Sequence, residues 1–287
     1  MILVAGGSGQ LGTLVVRRLS ARGLAVRVLT RDPLRASHLA GDRVEVLRGD
    51  VRDRASVAAA SDGATVVVSA VHGFIGPRGI SPASVDRDGN VNLIDAARAV
   101  GADFVLMSVL GAAADDPMEL FRMKHAAEQY LGASGIGATV VRAAAFLETW
   151  TDLLKKTAAR SGRPLVFGKG ENPINFVSVI DVAALVERAV TDPSTRGRTL
   201  EIGGPQNLTL NEVALAVQAA AGRTSPPRHV PRVLLRLAAQ TVGRVNPMVG
   251  RQVRAAHAMD SADLSSEPTA IRQAFPEVPT TTLEMCL

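Results

Sequence analysis

The chain has 287 residues, 47% of them hydrophobic, 3% aromatic and 21% charged, with a formal net charge of +5 at pH 7. That length can bury a large core, and the scarcity of aromatic residues fits the parallel sheet of an α/β protein, which uses Val, Ile and Leu. The single cysteine excludes an internal disulfide, and no apolar run approaches the ~18 residues of a membrane-spanning helix. We therefore expect a soluble, cytoplasmic protein without a membrane partner.

The first twelve residues read MILVAGGSGQLG: a short apolar strand, a glycine-rich turn and the start of an amphipathic helix. Gly7, Gly9 and Gly12 fit G-x-G-x-x-G, while Gly6, Gly9 and Gly12 fit G-x-x-G-x-x-G. Glycine lets the chain reverse tightly and touch a pyrophosphate, which the helix N-terminus then binds. A merely structural tight turn is the alternative. We predict a dinucleotide site formed by Gly6, Ser8, Gly9, Gln10, Leu11 and Gly12.

The second predicted strand covers residues 25–30 and is followed by Arg31. NAD-binding folds place an acidic residue here to bind the ribose 2′-hydroxyl, whereas a guanidinium suits the 2′-phosphate of NADP. Arg35 lies one turn further, and Asp32, directly before Pro33, is interpreted as a helix cap. The pattern favours NADP(H) over NAD(H) and assigns Arg31 to the cofactor site.

Two further candidate segments follow the third and fourth predicted strands, residues 44–48 and 65–69. Ligands of this fold lie beyond the carboxyl ends of the strands, so the cofactor side should be faced by Asp50, Ser69, Ala70 and His72. Helix capping is the alternative interpretation of Asp50 and Asp53. His72 lies in a glycine-rich loop, where it would either contact substrate or be solvated.

Strands and helices then alternate regularly, after a loop over residues 73–82. Helices are predicted over 86–100 and 118–131, and strands over 104–108 and 138–141. Such alternation predicts an α/β fold with a Rossmann-type, doubly wound parallel sheet.

The pattern changes after Arg142. Beyond it we predict a helix over 143–160 and short strands over 165–167, 174–177 and 199–202. Capping boxes are predicted at Ser178 with Asp181 and at Thr209 with Glu212, and the tail beyond Pro227 is predicted to be helical. We predict two domains: an NAD(P)-binding Rossmann domain over residues 1–150 and a smaller substrate-binding α/β lobe over 151–287. Residues 173–203 are expected to pack back on the Rossmann domain.

The predicted helical tail is rich in arginine, with Arg228, Arg232, Arg236, Arg244, Arg251 and Arg254. A nucleic-acid surface would combine such cations on one face with stacking aromatic side chains, and the sequence places no aromatic residue between these arginines. A solvated helical surface, with one or two arginines reaching into the active site, fits better. No nucleic-acid partner and no metal site are predicted.

Together these motifs resemble the atypical short-chain dehydrogenase/reductase superfamily, in particular NmrA-like NAD(P)-binding proteins. The resemblance covers roughly residues 1–222. It is carried by the glycine turn and Arg31, GDVRD at 49–53, DRDGNVNLI at 86–94, Lys124 with Glu128, SGI at 134–136 leading to Val141 and Arg142, NFVSVIDVA at 175–183, and LEIGGP at 200–205 with Leu208, Thr209 and Glu212.

The resemblance implies a pocket, position by position. Along the dinucleotide it implies pyrophosphate contacts by Gly6, Gly9 and Gly12, a 2′-phosphate contact by Arg31, adenine contacts by Asp50 and Val51, and further cofactor contacts by Ala70 and Val71. Around the nicotinamide it implies Ser108 at the end of strand five, Lys124 on the ribose, and a wall formed by residues 142–146, including Arg142. Candidate substrate-binding residues are His72, Phe146 and Trp150.

The sequence departs from the family in its catalytic tyrosine. Ordinary short-chain dehydrogenases use Tyr-x-x-x-Lys, in which the lysine lowers the tyrosine pKa. Here Leu120 precedes Lys124 by four residues, and the only tyrosine, Tyr130, follows by six, which turns it roughly 120° away on a helix. Lys124 and Glu128 lie one turn apart, so a surface ion pair is the alternative interpretation of Lys124.

The leading hypothesis is an NADPH-dependent reductase of a small electrophile such as a quinone or enone, with Lys124 and Ser108 as catalytic candidates. Such a reaction needs a hydride donor and a cation or hydroxyl near the developing negative charge. The rival is a redox-sensing or regulatory protein that binds NADP(H) without turnover, which the missing tyrosine favours. An NADP-linked epimerase or dehydratase is a weaker third hypothesis, since those enzymes usually retain the tyrosine.

Overall fold

The computed structural model describes residues 1–76, 79–234, 237, 246–267 and 269–287. The chain divides into two compact units. The first joins Met1–Ala143 with Val179–Glu201, and the second joins Ala144–Ser178 with Ile202–Leu287. The domain division at residue 150 stays a prediction.

A seven-stranded sheet dominates the first unit. Its strands are β1 (Ile2–Ala5), β2 (Val26–Thr30), β3 (Val44–Arg48), β4 (Val66–Ser69), β5 (Asp103–Val109), β6 (Ala138–Ala143) and β10 (Thr199–Ile202). They run in the order β10-β6-β5-β4-β1-β2-β3, and all neighbours from β6 to β3 pair in parallel. The order reverses at β1, with β2 on one side and β4 on the other, which is the topological switch point of a doubly wound sheet. The predicted Rossmann-type fold is confirmed.

Helices cover both faces of this sheet because their apolar residues recur every three or four positions. They are α1 (Gln10–Ala21), α2 (Arg54–Ser61), α3 (Asp88–Val100), α4 (Glu119–Ala133) and α6 (Val179–Thr191). α1 buries Val15, Val16 and Leu19 and packs against α6, where Glu187 forms ion pairs with Arg18 and Arg22. The other face forms a core with α2, α3 and α4, whose largest buried members include Leu3, Leu29, Leu93, Ile94, Phe104 and Leu106.

The segment before α3 differs from its prediction. A π-helix covers Pro82–Arg87 and begins with a capping box between Ser81 and Ser84, so the loop predicted to reach residue 82 ends earlier. Residues 77 and 78 of that loop lie outside the described residues. The π-helix matters for the site because it carries Asp86 into the interior. A single π-turn is rare and is frequently found at functional sites.

The second unit has its own core. Its elements are β7 (Ala145–Phe146), α5 (Leu147–Ser161), β8 (Leu165–Phe167), β9 (Ile174–Val177), β11 (Asn207–Leu208), α7 (Leu210–Ala220), β12 (Arg228–Val230) and the helices Pro247–Met259 and Thr269–Ala274. One core cluster contains Leu147, Leu154, Val166, Phe176 and Val213. The capping box predicted at Thr209 is confirmed, since its hydroxyl accepts from the Glu212 N–H and the Glu212 carboxylate accepts from the Thr209 N–H.

Two predictions about this unit are wrong. The helix predicted from residue 143 begins at Leu147, because Ala145 and Phe146 first pair in parallel with β9. The tail beyond Pro227 is not helical at its start, since β12 pairs in parallel with β8.

The arginines of the tail do not form one described surface. Arg236 and Arg244 lie outside the described residues, whereas Arg232 is ion-paired with Asp260 and Arg251 is buried. Within the described ranges, no helix has both the length and the apolar character needed to cross a membrane.

Candidate functional site

The turn between β1 and α1 needs glycine at two positions for reasons internal to the protein. Gly6 has a φ of +84°, and a Cβ there would lie 2.5 Å from the carbonyl oxygen of Ala70. A Cβ on Gly12 would overlap the carbonyl oxygen of Gly6. These two glycines therefore allow β1, α1 and the segment after β4 to pack closely, as the first and third glycines of a dinucleotide fingerprint do.

Gly9 is different, because the protein's own packing leaves room for a side chain there. It is exposed, and within the described part of the chain a Cβ would meet only the carbonyl oxygen of Gly6, at 3.4 Å. Gly9 also precedes α1, for which the described residues provide neither a side-chain cap nor an acidic residue in the first turn. An uncapped helix N-terminus with the positive end of its dipole favours an anion at this position. The turn therefore forms a cradle that fits an anionic group and that a side chain on Gly9 would fill, and its contact with a pyrophosphate stays a prediction.

The other residues predicted to bind the cofactor near this turn differ in their surroundings. The Ser8 hydroxyl lies 3.0 Å from the Thr30 hydroxyl, which connects the turn to the end of β2. Leu11 is buried in the core, whereas Gln10 and Arg31 are exposed. Arg31 follows β2 directly, so its guanidinium can reach a ligand at the carboxyl edge of the sheet.

Asp50 is held by its neighbour Arg52. The Arg52 guanidinium donates to both carboxylate oxygens, at 2.6 to 3.1 Å, and the Arg52 N–H donates as well. These bonds, with a smaller contribution from the charge of Arg31, hold the pKa of Asp50 below its ordinary value despite partial burial. The alternative of helix capping is correct for Asp53, which accepts from the Ala55 N–H, and for Asp32, which accepts from the Leu34 N–H. The adenine contacts of Asp50 and of the buried Val51 stay predictions.

Lys124 is buried, so the alternative interpretation, a surface ion pair with Glu128, is wrong. Its Nζ donates to the carbonyl oxygens of Val71 at 3.1 Å and Met107 at 2.9 Å, and it forms an ion pair with Asp86 Oδ1 at 3.0 Å. The side chain of Lys124 is 4% exposed and that of Asp86 is fully buried. An ammonium group has three hydrogens, and here three protein oxygens surround it. Lys124 thus connects the carboxyl ends of β4 and β5 with the π-helix that carries Asp86. Its catalytic and ribose-binding roles stay predictions.

Glu128 pairs with Arg142 and not with Lys124. The Arg142 guanidinium donates two hydrogen bonds to the Glu128 carboxylate, at 3.0 and 2.6 Å, and one to Glu201 at 3.1 Å. A bidentate pair of this kind fixes the side chain firmly. It connects α4 to β6 and β10, so the Arg142 guanidinium has a structural role, and its contact with a cofactor stays a prediction.

Ser108 lies near the carboxyl end of β5, and His72 follows the neighbouring strand β4. Ser108 is 4% exposed, and its hydroxyl has no hydrogen-bond partner among the described residues. The His72 side chain is 51% exposed, with Nδ1 3.9 Å from Asp86 Oδ1. Asp86 Oδ2 accepts the Gly73 N–H at 2.8 Å, which fixes the loop that carries His72.

Comparison with known proteins assigns the family. The NmrA-like family matches residues 1–256. The chain belongs to the NmrA-like family. An NAD(P)H azoreductase of Xenophilus azovorans is 32% identical over 232 residues, which are 80% of this chain and 76% of that protein. Quinone oxidoreductase 2 of Escherichia coli is 26% identical over 225 residues, 78% of this chain and 75% of that protein.

Solved structures share the fold of this NmrA-like protein. An NADPH-dependent quinone oxidoreductase of Escherichia coli, complexed with NADPH, has a TM-score of 0.79 at 23% identity and covers 99% of this chain and 97% of its own. A Citrobacter sp. triphenylmethane reductase complexed with NADP(H) has a TM-score of 0.79 at 21% identity, with 99% and 98% covered. At these identities the likeness concerns the fold.

The remaining predicted substrate residues of the NmrA-like protein belong to the second unit. Phe146 ends β7, and Trp150 lies in the first turn of α5. The Trp150 ring packs edge-on against Phe176, with ring centroids 6.4 Å apart, and it adjoins the core cluster of this unit. Their contact with a substrate stays a prediction.

Tyr130 is placed as its helical position predicts. It is 38% exposed on α4, and its hydroxyl donates to Asp95 at 2.7 Å. This hydrogen bond raises the pKa of Tyr130, which is opposite to the effect of the lysine in Tyr-x-x-x-Lys enzymes.

The residue that sequence reasoning missed in this NmrA-like protein is Asp86. It appeared only as the start of a helix and of the DRDGNVNLI segment, although it is the fully buried carboxylate that contacts Lys124 and the Gly73 N–H and lies 3.9 Å from His72 Nδ1. One signal in the sequence could have identified Asp86. It directly follows the apolar residue Val85 and begins the DRDGNVNLI segment, so it lies beside the apolar face of the predicted helix. A buried carboxylate needs a cation or several donors, so such a position predicts an ion pair.

Proposed function

We propose that this NmrA-like protein is an NADPH-dependent reductase of small electrophiles, such as quinones, enones or azo compounds. The azoreductase and quinone oxidoreductase relatives support the reaction class, and their coverage extends over about four fifths of this chain. The observation that carries the proposal is the cradle at Gly9, because it fits an anionic group and lies at the switch point of a doubly wound sheet.

The residues of the first unit fit the dinucleotide. The turn at Gly9 and the N-terminus of α1 would hold the diphosphate, and Arg31 would hold a 2′-phosphate. Ser108 would offer a hydroxyl at the end of β5, since that buried hydroxyl has no partner among the described residues. A reduced nicotinamide supplies a hydride when it is bound. The protein then has to bind and orient the acceptor and provide a proton to the reduced product.

The test is turnover. The purified chain is mixed with NADPH and a panel of a quinone, an enone and an azo dye, and the loss of reduced-nicotinamide absorbance is followed with product formation. We expect acceptor-dependent oxidation with at least one member, faster with NADPH than with NADH. Gly9→Val is the matched negative control. NADPH binding without oxidation by any acceptor would contradict the reductase proposal.

An NADP(H)-binding sensor without turnover is the second candidate. Two observations favour it: Lys124 is surrounded by three protein oxygens, and Tyr130 bonds to Asp95 on the surface. Neither side chain is therefore disposed as in Tyr-x-x-x-Lys enzymes. For a sensor we expect NADPH and NADP⁺ to bind with clearly different affinity or to produce different protease sensitivity, with no turnover on the panel.

A further inference from the structure

A reductase without the usual tyrosine needs another proton source. Tyr130 donates its hydroxyl hydrogen to Asp95 on the surface, and the Lys124 ammonium is enclosed by three oxygens of the protein. His72 is the remaining ionisable side chain of this network, three residues after the end of β4, and half of its side chain is exposed. It lies at the sheet edge where ligands of this fold bind.

Asp86 is arranged to orient His72. Its Oδ2 accepts the Gly73 N–H, so the carboxylate is anchored to the residue that follows His72. Its Oδ1 is completely buried and accepts no hydrogen bond from the described residues, although Lys124 Nζ is in ion-pair contact at 3.0 Å. His72 Nδ1 is 3.9 Å from this same oxygen. The ion pair with Lys124 leaves this oxygen able to accept a second donor, and an Nδ1–H about 1 Å closer would lie within hydrogen-bond distance of it.

Lys124 is the cation that lies against Asp86 in the interior. Its Nζ is 3.0 Å from Asp86 Oδ1, and a charge buried inside a protein needs a partner of opposite charge. Among the described residues, the charged groups that act on His72 are Asp86 and Lys124, and the Phe74 ring centroid is 5.9 Å from that of the imidazole. An imidazole whose Nδ1–H points at a buried carboxylate presents Nε2 outward, which is the orientation used for acid–base catalysis.

We propose that His72, oriented by Asp86, is the acid that supplies the proton in the reduction; this rests on the proposed function. The acceptor gains two electrons and one hydrogen as hydride from the reduced nicotinamide. The Nε2–H bond of the His72 imidazolium then breaks, and an O–H or N–H bond forms on the reduced acceptor. The neutral imidazole, held through Nδ1–H by Asp86, regains its Nε2 proton from water.

The pH dependence follows from the charge of the imidazolium. Partial desolvation of the half-exposed imidazole lowers the pKa of His72, the Asp86 carboxylate opposes this, and Lys124 adds to it, so that the pKa lies below the ordinary value of about 6.5. Because the protonated form is the active one, kcat/KM should be highest at acid pH and fall as the pH rises through this pKa. Asp86→Asn removes the opposing charge and should move the fall to still lower pH.

The experiment compares wild type, His72→Gln and His38→Gln, an exposed histidine in the 3₁₀ helix Pro33–Leu39, in kinetics and in NMR. We expect His72→Gln to lose about 10²-fold or more in kcat/KM at acid pH. It should also lose the pH-dependent fall and keep wild-type NADPH affinity, while His38→Gln resembles wild type. The ¹⁵N spectrum of neutral His72, assigned by its absence in His72→Gln, should show the Nδ1–H tautomer.

Each contrary result has a distinct meaning. Wild-type rates and pH profile in His72→Gln, or an Nε2–H tautomer for neutral His72, would overturn the role of His72 while leaving the reductase intact. Wild-type protein that binds NADPH but reduces no acceptor would overturn the proposed function and this inference together.

Discussion

Asp86 and Lys124 form a buried ion pair, with Nζ 3.0 Å from Oδ1, inside a unit whose sheet edge carries the candidate site. Because Nζ also bonds the carbonyl oxygens of Val71 and Met107, one side chain connects the ends of β4 and β5 and the π-helix. The pair therefore determines the position of the loop between Ala70 and Gly73.

Lys124→Met should destabilise the protein by about 3–5 kcal/mol, because it leaves the Asp86 carboxylate buried without its cation. Urea unfolding measures this change. The same substitution at Lys155, which is exposed on α5, is the control and should be nearly neutral. The double variant with Asp86→Asn should recover part of the loss. Wild-type stability combined with a large loss of kcat/KM would instead assign Lys124 to the reaction itself.

Gly9→Val should abolish NADPH binding and leave the fold intact, because a Cβ at Gly9 has room in the protein but occupies the anion cradle. Isothermal titration measures the affinity, and circular dichroism checks the fold. Gly132→Val, on α4 where a Cβ would have no described neighbour within 4 Å, should bind normally. Unchanged NADPH affinity in folded Gly9→Val would place the cofactor elsewhere.

Arg31→Ala should weaken NADPH binding by about 1.5–3 kcal/mol, roughly 10- to 150-fold, because one charge-assisted contact with the 2′-phosphate is lost. Affinity for NADH, which lacks that phosphate, should hardly change. Both are measured by titration, with Arg17→Ala on α1 as an exposed control. Tighter NADH than NADPH binding by the wild type would refute the preference.

Tyr130→Phe should leave kcat/KM unchanged, because the hydroxyl bonds Asp95 on the surface of α4. Loss of this exposed hydrogen bond should cost about 0.5–1.5 kcal/mol at most in unfolding free energy. Steady-state kinetics on the best acceptor provides the measurement. A rate loss of about 10²-fold, the scale of general acid catalysis, would restore the tyrosine to the mechanism.

Several features of the site could be read from the chain because they depend on neighbours in sequence. Gly6, Gly9 and Gly12 lie within one strand–turn–helix unit, so their spacing predicted the turn that the structure contains. The Thr209 capping box is equally local. Where a segment's conformation depended on a distant strand, prediction failed: Ala145 and Phe146 join β9, and the segment after Pro227 joins β8.

The sequence by itself determined the doubly wound sheet, since the period of its apolar residues and its glycine turn specify strands, helices and their alternation locally. Only the tertiary structure decided the partners of the charged side chains. Helical spacing suggested Glu128 as the alternative partner of Lys124. In the fold Lys124 contacts Val71 and Met107, 53 and 17 residues away, and Glu128 pairs with Arg142. The physical reason is burial: a charge inside a protein must be matched by whichever oxygens the packed backbone places around it, and no local rule specifies those.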